Sequence, residues 1–220
     1  MEFIVATFNI HHGEGTDGRL DLERTAAAIA ATGAELIALQ ELDRGFRRSD
    51  RVDQPAELAE LTGLDLHFFP TVRRGEGEYG IALASSDALT VDVRTLPRLG
   101  EEEPRGAVQA SWRGVRVVGV HLATQRAARR LQAPAVVELA APSSGPVLVL
   151  GDFNATHLEL RRLRNDGLVA GPGRAPTVRA RVGGWRIDHV LAGGGARVLR
   201  TWTVPTEASD HLPLVAQVEV

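Results

Sequence analysis

About eleven short apolar runs, separated by glycine, proline and acidic turn residues, limit what this chain can fold into. Phe3–Phe8, Leu36–Leu39, Leu66–Phe69, Tyr79–Ala84, Leu89–Leu96, Ala107–Trp112, Val115–His121, Pro146–Leu150, Arg186–Leu191, Arg197–Val204 and Leu214–Val218 read as strands. Helical patterning covers Leu22–Ala31, with Asp21 as its cap and Gly33 as its stop, then Pro55–Leu61, Arg126–Ala140 and Leu158–Arg164. Pro134 predicts a kink or restart in the third of these. Strands this apolar must be covered on both faces, and many are joined by hairpin-length turns such as Arg113-Gly114. The expectation is an α/β four-layer sandwich, in which two mostly antiparallel mixed β-sheets pack face to face with helices outside, as a single domain over residues 1–220.

Composition narrows the function. The chain has no Cys, which excludes thiol nucleophiles, disulfides and cysteine-ligated zinc. Every permanently basic side chain is Arg, so no lysine can serve as base or Schiff-base former. A net charge of -3 argues against gripping nucleic acid by bulk charge. It leaves open an enzyme whose metal ion supplies local positive charge. No apolar run approaches the roughly 20 residues of a membrane helix, and with no basic, apolar leader pattern before the first strand the expectation is no signal peptide. A cytoplasmic monomer is the expectation.

The chemistry sits where strands end. Asn9 closes the first run, Gln40-Glu41 the second and His121 the seventh, while Asp152 and Asn154 follow the eighth. Asp188 falls inside the Arg186–Leu191 strand, and Ser209-Asp210-His211 precedes the last. Each alone has a structural reading, because turns favour such residues. Asp188 is harder to set aside: an unpaired carboxylate in an apolar strand is costly, so it needs a partner, and a histidine is the natural one. Together these side chains are carboxylates, carboxamides and imidazoles, a donor set that suits Mg²⁺ or Mn²⁺. In extended geometry Asp152 and Asn154 would project to one side and Phe153 to the other.

Thr7-Phe-Asn-Ile10, Gln40-Glu41, Gly151-Asp-Phe-Asn154, Arg186-Ile-Asp-His-Val190 and Ser209-Asp-His211 occur in an order that resembles the endonuclease/exonuclease/phosphatase superfamily, whose members share the DNase I-like fold. The Thr7–Gly13, Thr16–Arg24 and Gln40–Arg44 segments are similar to a group of small bacterial members. The resemblance implies metal-dependent cleavage of a phosphodiester or phosphomonoester by water. It implies Glu41 as principal metal ligand, with Asn9 beside it and Asp210 adding to the site. Asp152 would orient or deprotonate the attacking water, and Asn154 would bond that water or the phosphoryl oxygen. His211, held by Asp188, would contact the phosphate or act as base. His121 would lie across the scissile phosphate as acid or donor. Arg105 and Tyr79 match family positions that contact substrate, although Arg105 also reads as a solvated cation. The family's Tyr-Gly-Asn-Ala is here Tyr79-Gly-Ile-Ala82, so a carboxamide is missing.

The expected substrate is a phosphoester. Nucleic acid is the first candidate, and a small-molecule or lipid-headgroup phosphoester is the alternative. A non-catalytic module on the same fold is disfavoured, since none of Glu41, Asp152, Asn154 and His211 has been lost. Arg44, Arg47, Arg48 and Arg51 read either as a phosphate-binding loop or as a solvated face.

Overall fold

The computed structural model describes residues 1–141, 145–160, 167–179 and 183–220. Its first sheet is ordered β13-β14-β1-β2-β4-β3: β1 Glu2–Asn9, β2 Leu36–Arg44, β3 Asp65–Arg74, β4 Gly77–Ser85, β13 Arg197–Thr203 and β14 Leu214–Glu219. The second is ordered β5-β6-β7-β8-β12-β9: β5 Val91–Thr95, β6 Gly106–Trp112, β7 Val115–His121, β8 Val147–Asp152, β9 Val169–Ala170 and β12 Asp188–Gly193. β10 Val178–Arg179 and β11 Gly184–Trp185 form a separate small ribbon. Only β1/β2 and β7/β8 run parallel among the described pairs.

Strand periodicity builds the layers. Phe3 and Val5 of β1, Ile81 and Leu83 of β4, Val115 and Val117 of β7 and Leu148 and Leu150 of β8 meet in one cluster between the sheets. The alternate residues face outward. Ala6, Phe8, Ile37 and Val215 pack with Ala26 and Ile29 of α1 (Leu22–Ala31) and Leu58 of α2 (Gln54–Thr62). Val118, Val120, Val147 and Val149 pack with Val136 and Ala140 of α3 (Arg126–Ala140). The four-layer α/β/β/α sandwich therefore follows from the two-residue period.

Several local expectations change. α3 runs unbroken through Pro134. Pro134 and Arg130 are both exposed, so water can bond the carbonyl that the proline leaves without a donor. β12 begins at Asp188, which is therefore the strand's first residue and not an interior one. Residues 158–160 of the expected fourth helix lie in a turn, and 161–164 lie outside the described residues. The strand ends at Asp152 and Asn154 takes a φ of 47°, so the chain turns there and does not stay extended.

Gly151 pairs with Val120 across the parallel β7/β8 ladder, and a Cβ there would lie 1.9 Å from the Val120 carbonyl oxygen. Both groups are backbone in a central ladder, so neither can move aside cheaply. Gly151→Ala should cost about 3 kcal/mol or more. Urea unfolding of the two proteins checks this, and an unchanged midpoint would refute the packing argument.

Candidate functional site

The inward-facing position at the end of each central strand is polar where the earlier ones are apolar. In β1 the inward series is Phe3, Val5, Thr7, Asn9; in β7 it ends at His121; in β8 it ends at Asp152. Register then aligns them. His121 pairs with Asp152 across β7/β8, and Asp152 pairs with Asp188 across β8/β12. Three of the candidate residues thus form one row on adjacent strands, spaced by the ladder itself.

The first sheet faces this row with Asn9 and Glu41. β2 is irregular between Gln40 and Leu42, and Glu41 takes a left-handed φ of 64°. The bulge lets consecutive residues serve one site. Gln40 accepts from the Thr7 hydroxyl, while Glu41 Oε1 accepts from Asn9 Nδ2 at 2.8 Å. His11, His12 and Asn154 near the site also have positive φ, as do Asp50, Arg51 and Arg113 in turns elsewhere.

Asp152 is the hub. Its Oδ2 accepts from Asn9 Nδ2 at 3.2 Å, and it lies 3.6 Å from His121 Nε2 and 3.9 Å from His211 Nε2. Its Oδ1 accepts from the Asn154 amide at 2.7 Å. Burial and the neighbouring Asp188 push its carboxyl up to about 7. Asn154 is anchored by donating from Nδ2 to the Leu122 carbonyl. Phe153 is buried on the opposite side, against α3's layer.

His211 Nδ1 lies 2.9 Å from Asp188 Oδ2, which supplies the histidine partner that Asp188 required. Burial alone would lower His211, but Asp188, Asp152 and Asp210 outweigh it and push the imidazole up to about 10. It is a cation at neutral pH, with Nδ1–H donating to Asp188. His121 behaves oppositely. Burial, Arg105 and His211 hold it well below its usual value, so it is neutral. Arg105 Nη1 lies 3.0 Å from His121 Nδ1. A guanidinium can only donate, so Nδ1 accepts and the ring proton sits on Nε2, facing Asp152 and Glu41.

Arg105 is accordingly buried, not a solvated cation, and the same Nη1 also pairs with Glu103 Oε1 at 2.9 Å. Tyr79 is also buried; burial and Glu41 raise its phenol, so it stays neutral. Asp210 is exposed, lies 3.3 Å through Oδ1 from the Ser209 hydroxyl, and adds its charge to those that raise His211. Two supporting residues had no role read from sequence. The Ser209 hydroxyl donates to the Asn9 carbonyl and accepts from the His211 amide, tying the last loop to β1. The buried Thr177 hydroxyl accepts from the amides of Ile187 and Asp188 and fixes the start of β12. Nothing in the sequence around Thr177 signals this, because its partner amides lie ten and eleven residues further along the chain.

Asp152, Asp188 and His211 place potential ligand atoms within 4.8 Å of one another. The donor chemistry fits a divalent cation. Asp188 Oδ1 is buried without a partner, and Asp152 is crowded by a second carboxylate. The second oxygen of Glu41 has no hydrogen bond among the described residues. Residues of this kind hold Mg²⁺ or Mn²⁺ through oxygen.

No helix among the described residues is long and apolar enough to cross a membrane. A search of curated proteins returns no match. Among solved structures, the fold matches an endonuclease/exonuclease/phosphatase from Beutenbergia cavernae DSM 12333 at a TM-score of 0.81 and 24% identity, over 100% of this chain and 72% of that one. It matches the mannosyl-6-phosphatase of Bacteroides thetaiotaomicron VPI-5482 at 0.72 and 16%, over 99% of this chain and 100% of that one. It matches an AP endonuclease from Archaeoglobus fulgidus at 0.69 and 18%, over 99% and 100%. The family model of the endonuclease/exonuclease/phosphatase family matches residues 6–211, nearly the whole chain and all five motifs, and this chain belongs to that family of phosphoesterases.

Proposed function

We propose that the chain is a divalent-metal-dependent phosphodiesterase that hydrolyses its substrate by attack of water, with nucleic acid as the first substrate class. The convergence of Asn9, Glu41, His121, Asp152, Asp188 and His211 at one end of the two sheets carries the reading. Glu41, with Asn9 fixing its carboxylate, would hold the cation. His211 is a poor ligand, because its Nδ1 is bonded to Asp188 and the ring is protonated. A bound divalent cation would neutralise charge on the non-bridging phosphate oxygens.

The chain's own groups divide the remaining work. Asp152, poised at about 7, orients the attacking water and accepts its proton. Asn154 braces that carboxylate through its amide. His211, kept cationic by Asp188, stabilises charge on the phosphoryl group and does not act as the base. His121 presents Nε2–H as a neutral donor to a phosphoryl or leaving oxygen, its tautomer fixed by Arg105. Tyr79 supports this from beside Arg105. Asp210 contributes through its charge at the rim.

Bis-p-nitrophenyl phosphate with Mg²⁺ or Mn²⁺ tests the reading directly. Hydrolysis should appear with either metal, vanish in EDTA, and exceed that of p-nitrophenyl phosphate. Inactivity with every divalent metal would refute it.

A further inference from the structure

We propose that the arginine-lined recess at the β3–β4 turn is a second phosphate subsite, holding a non-scissile phosphate of a single-stranded polynucleotide while the scissile one lies at Asp152. It rests on the phosphodiesterase reading and names the substrate class of that site. The recess is bounded by Phe46, Arg47, Arg51, Arg74 and Glu76. Its charge is uneven. Arg44 and Arg73 are both paired with Glu78, Arg48 with Asp43 and Arg51 with Glu76. Arg47 and Arg74 have no anionic partner among the described residues and are exposed. Two uncommitted guanidinium groups therefore share one concavity, and phosphate oxygens are the ligand such groups bind best.

A continuous path joins the recess to the site. Tyr79 shares the inner face of β4 with Ile81 and lies beside Arg105. The Arg48 guanidinium lies 5.3 Å from the Tyr79 ring centre and 5.4 Å from that of Phe46. Phe46 in turn lies flush on Gly77, where a Cβ would be 2.6 Å from its ring. The order Arg105, Tyr79, Arg48, Phe46 is thus an alternating cation–aromatic wall that ends at Arg47 and Arg74. The four steps of chain from Glu41 to Gly45 span roughly 13 Å when extended. A single phosphodiester cannot bridge that distance, whereas a strand of linked phosphates can. Of this wall only Phe46 and Arg48, at the recess end, reach solvent, and their ring and guanidinium edges suit an unpaired base whose neighbouring phosphate meets Arg47 and Arg74.

The test uses Arg47→Ala/Arg74→Ala, two exposed side chains whose removal leaves no buried group unpaired. Fluorescein-labelled decathymidylate is titrated against the Asp152→Asn protein with and without these two changes, at several salt concentrations. The double change should raise Kd about tenfold and reduce the log–log salt slope by about 0.7 per guanidinium removed. In the Asp152 background, hydrolysis of bis-p-nitrophenyl phosphate by the double variant should stay within twofold of the parent. Unchanged Kd and slope would overturn the subsite, as would absence of decathymidylate binding by the parent. Loss of bis-p-nitrophenyl phosphate hydrolysis by the unmodified chain would instead sink the phosphodiesterase reading, so the two failures are distinct.

Discussion

Asp152→Asn is expected to lower kcat for bis-p-nitrophenyl phosphate about 10³-fold at saturating metal while making the metal-free protein more stable at pH 7. The loss is that of a general base held against its water. The stability gain has a separate origin. Burial and Asp188 raise the carboxyl from 3.8 to about 7 in the folded chain, so the protonated form favours folding. That contribution is complete below about pH 4 and is lost as pH rises through 7. Asparagine removes the buried charge and keeps an oxygen that can accept from the Asn154 amide, while its NH2 replaces the oxygen that accepts from Asn9 Nδ2, which offsets part of the gain. The expected gain is about 1–3 kcal/mol at pH 7, a rise of several degrees in Tm. Scans at pH 5 and 7 in EDTA measure it: the parent should lose stability between them, and the variant should lose less. The pKa of His211 is coupled to the same carboxylate, so the variant should also let that ring lose its proton at lower pH. A variant that kept activity within tenfold would remove Asp152 from the role of base.

Glu41→Gln is expected to weaken Mn²⁺ binding about 10²-fold, read by electron paramagnetic resonance of free Mn²⁺ in titrations that need no turnover. The substitution keeps the side-chain length and an oxygen facing Asn9, so what it removes is charge. Glutamine is no worse than glutamate at the left-handed φ of 64°. If affinity held after this change and fell instead in Asp188→Asn, the cation would belong to the Asp152–Asp188 pair. That outcome would also require His211 to give up its hydrogen bond or its proton.

The parts of the site that could be read from the chain are those governed by local rules. The points where apolar runs stop mark Asn9, His121 and Asp152 as polar strand ends, and the costliness of a lone buried carboxylate points Asp188 to a histidine. The layers follow from the same alternation. What escaped depends on contacts between distant segments. The bulge that turns Glu41 toward Asn9 has no glycine to announce it. Arg105 reads equally as solvent-facing until β6 and β7 are paired and Nη1 is found on His121. β9, β10 and β11 are two residues each, too short for any periodicity. Pro134 misleads because its effect depends on whether the orphaned carbonyl reaches water, which only the helix's orientation on β7 and β8 decides.

The row His121, Asp152, Asp188 carries a consequence for how such a protein can diversify. Its intervals are those of hydrogen-bonded strands in the middle of a sheet, fixed by backbone and not by the loops that border the cleft. Segments such as Gly45–Asp53 or the β3–β4 turn can therefore lengthen, shorten or change charge, altering what docks, while the spacing of Asp152 and His121 stays constant. Recognition and chemistry are mechanically uncoupled, and grafting a new border onto this sandwich should alter KM before it alters kcat.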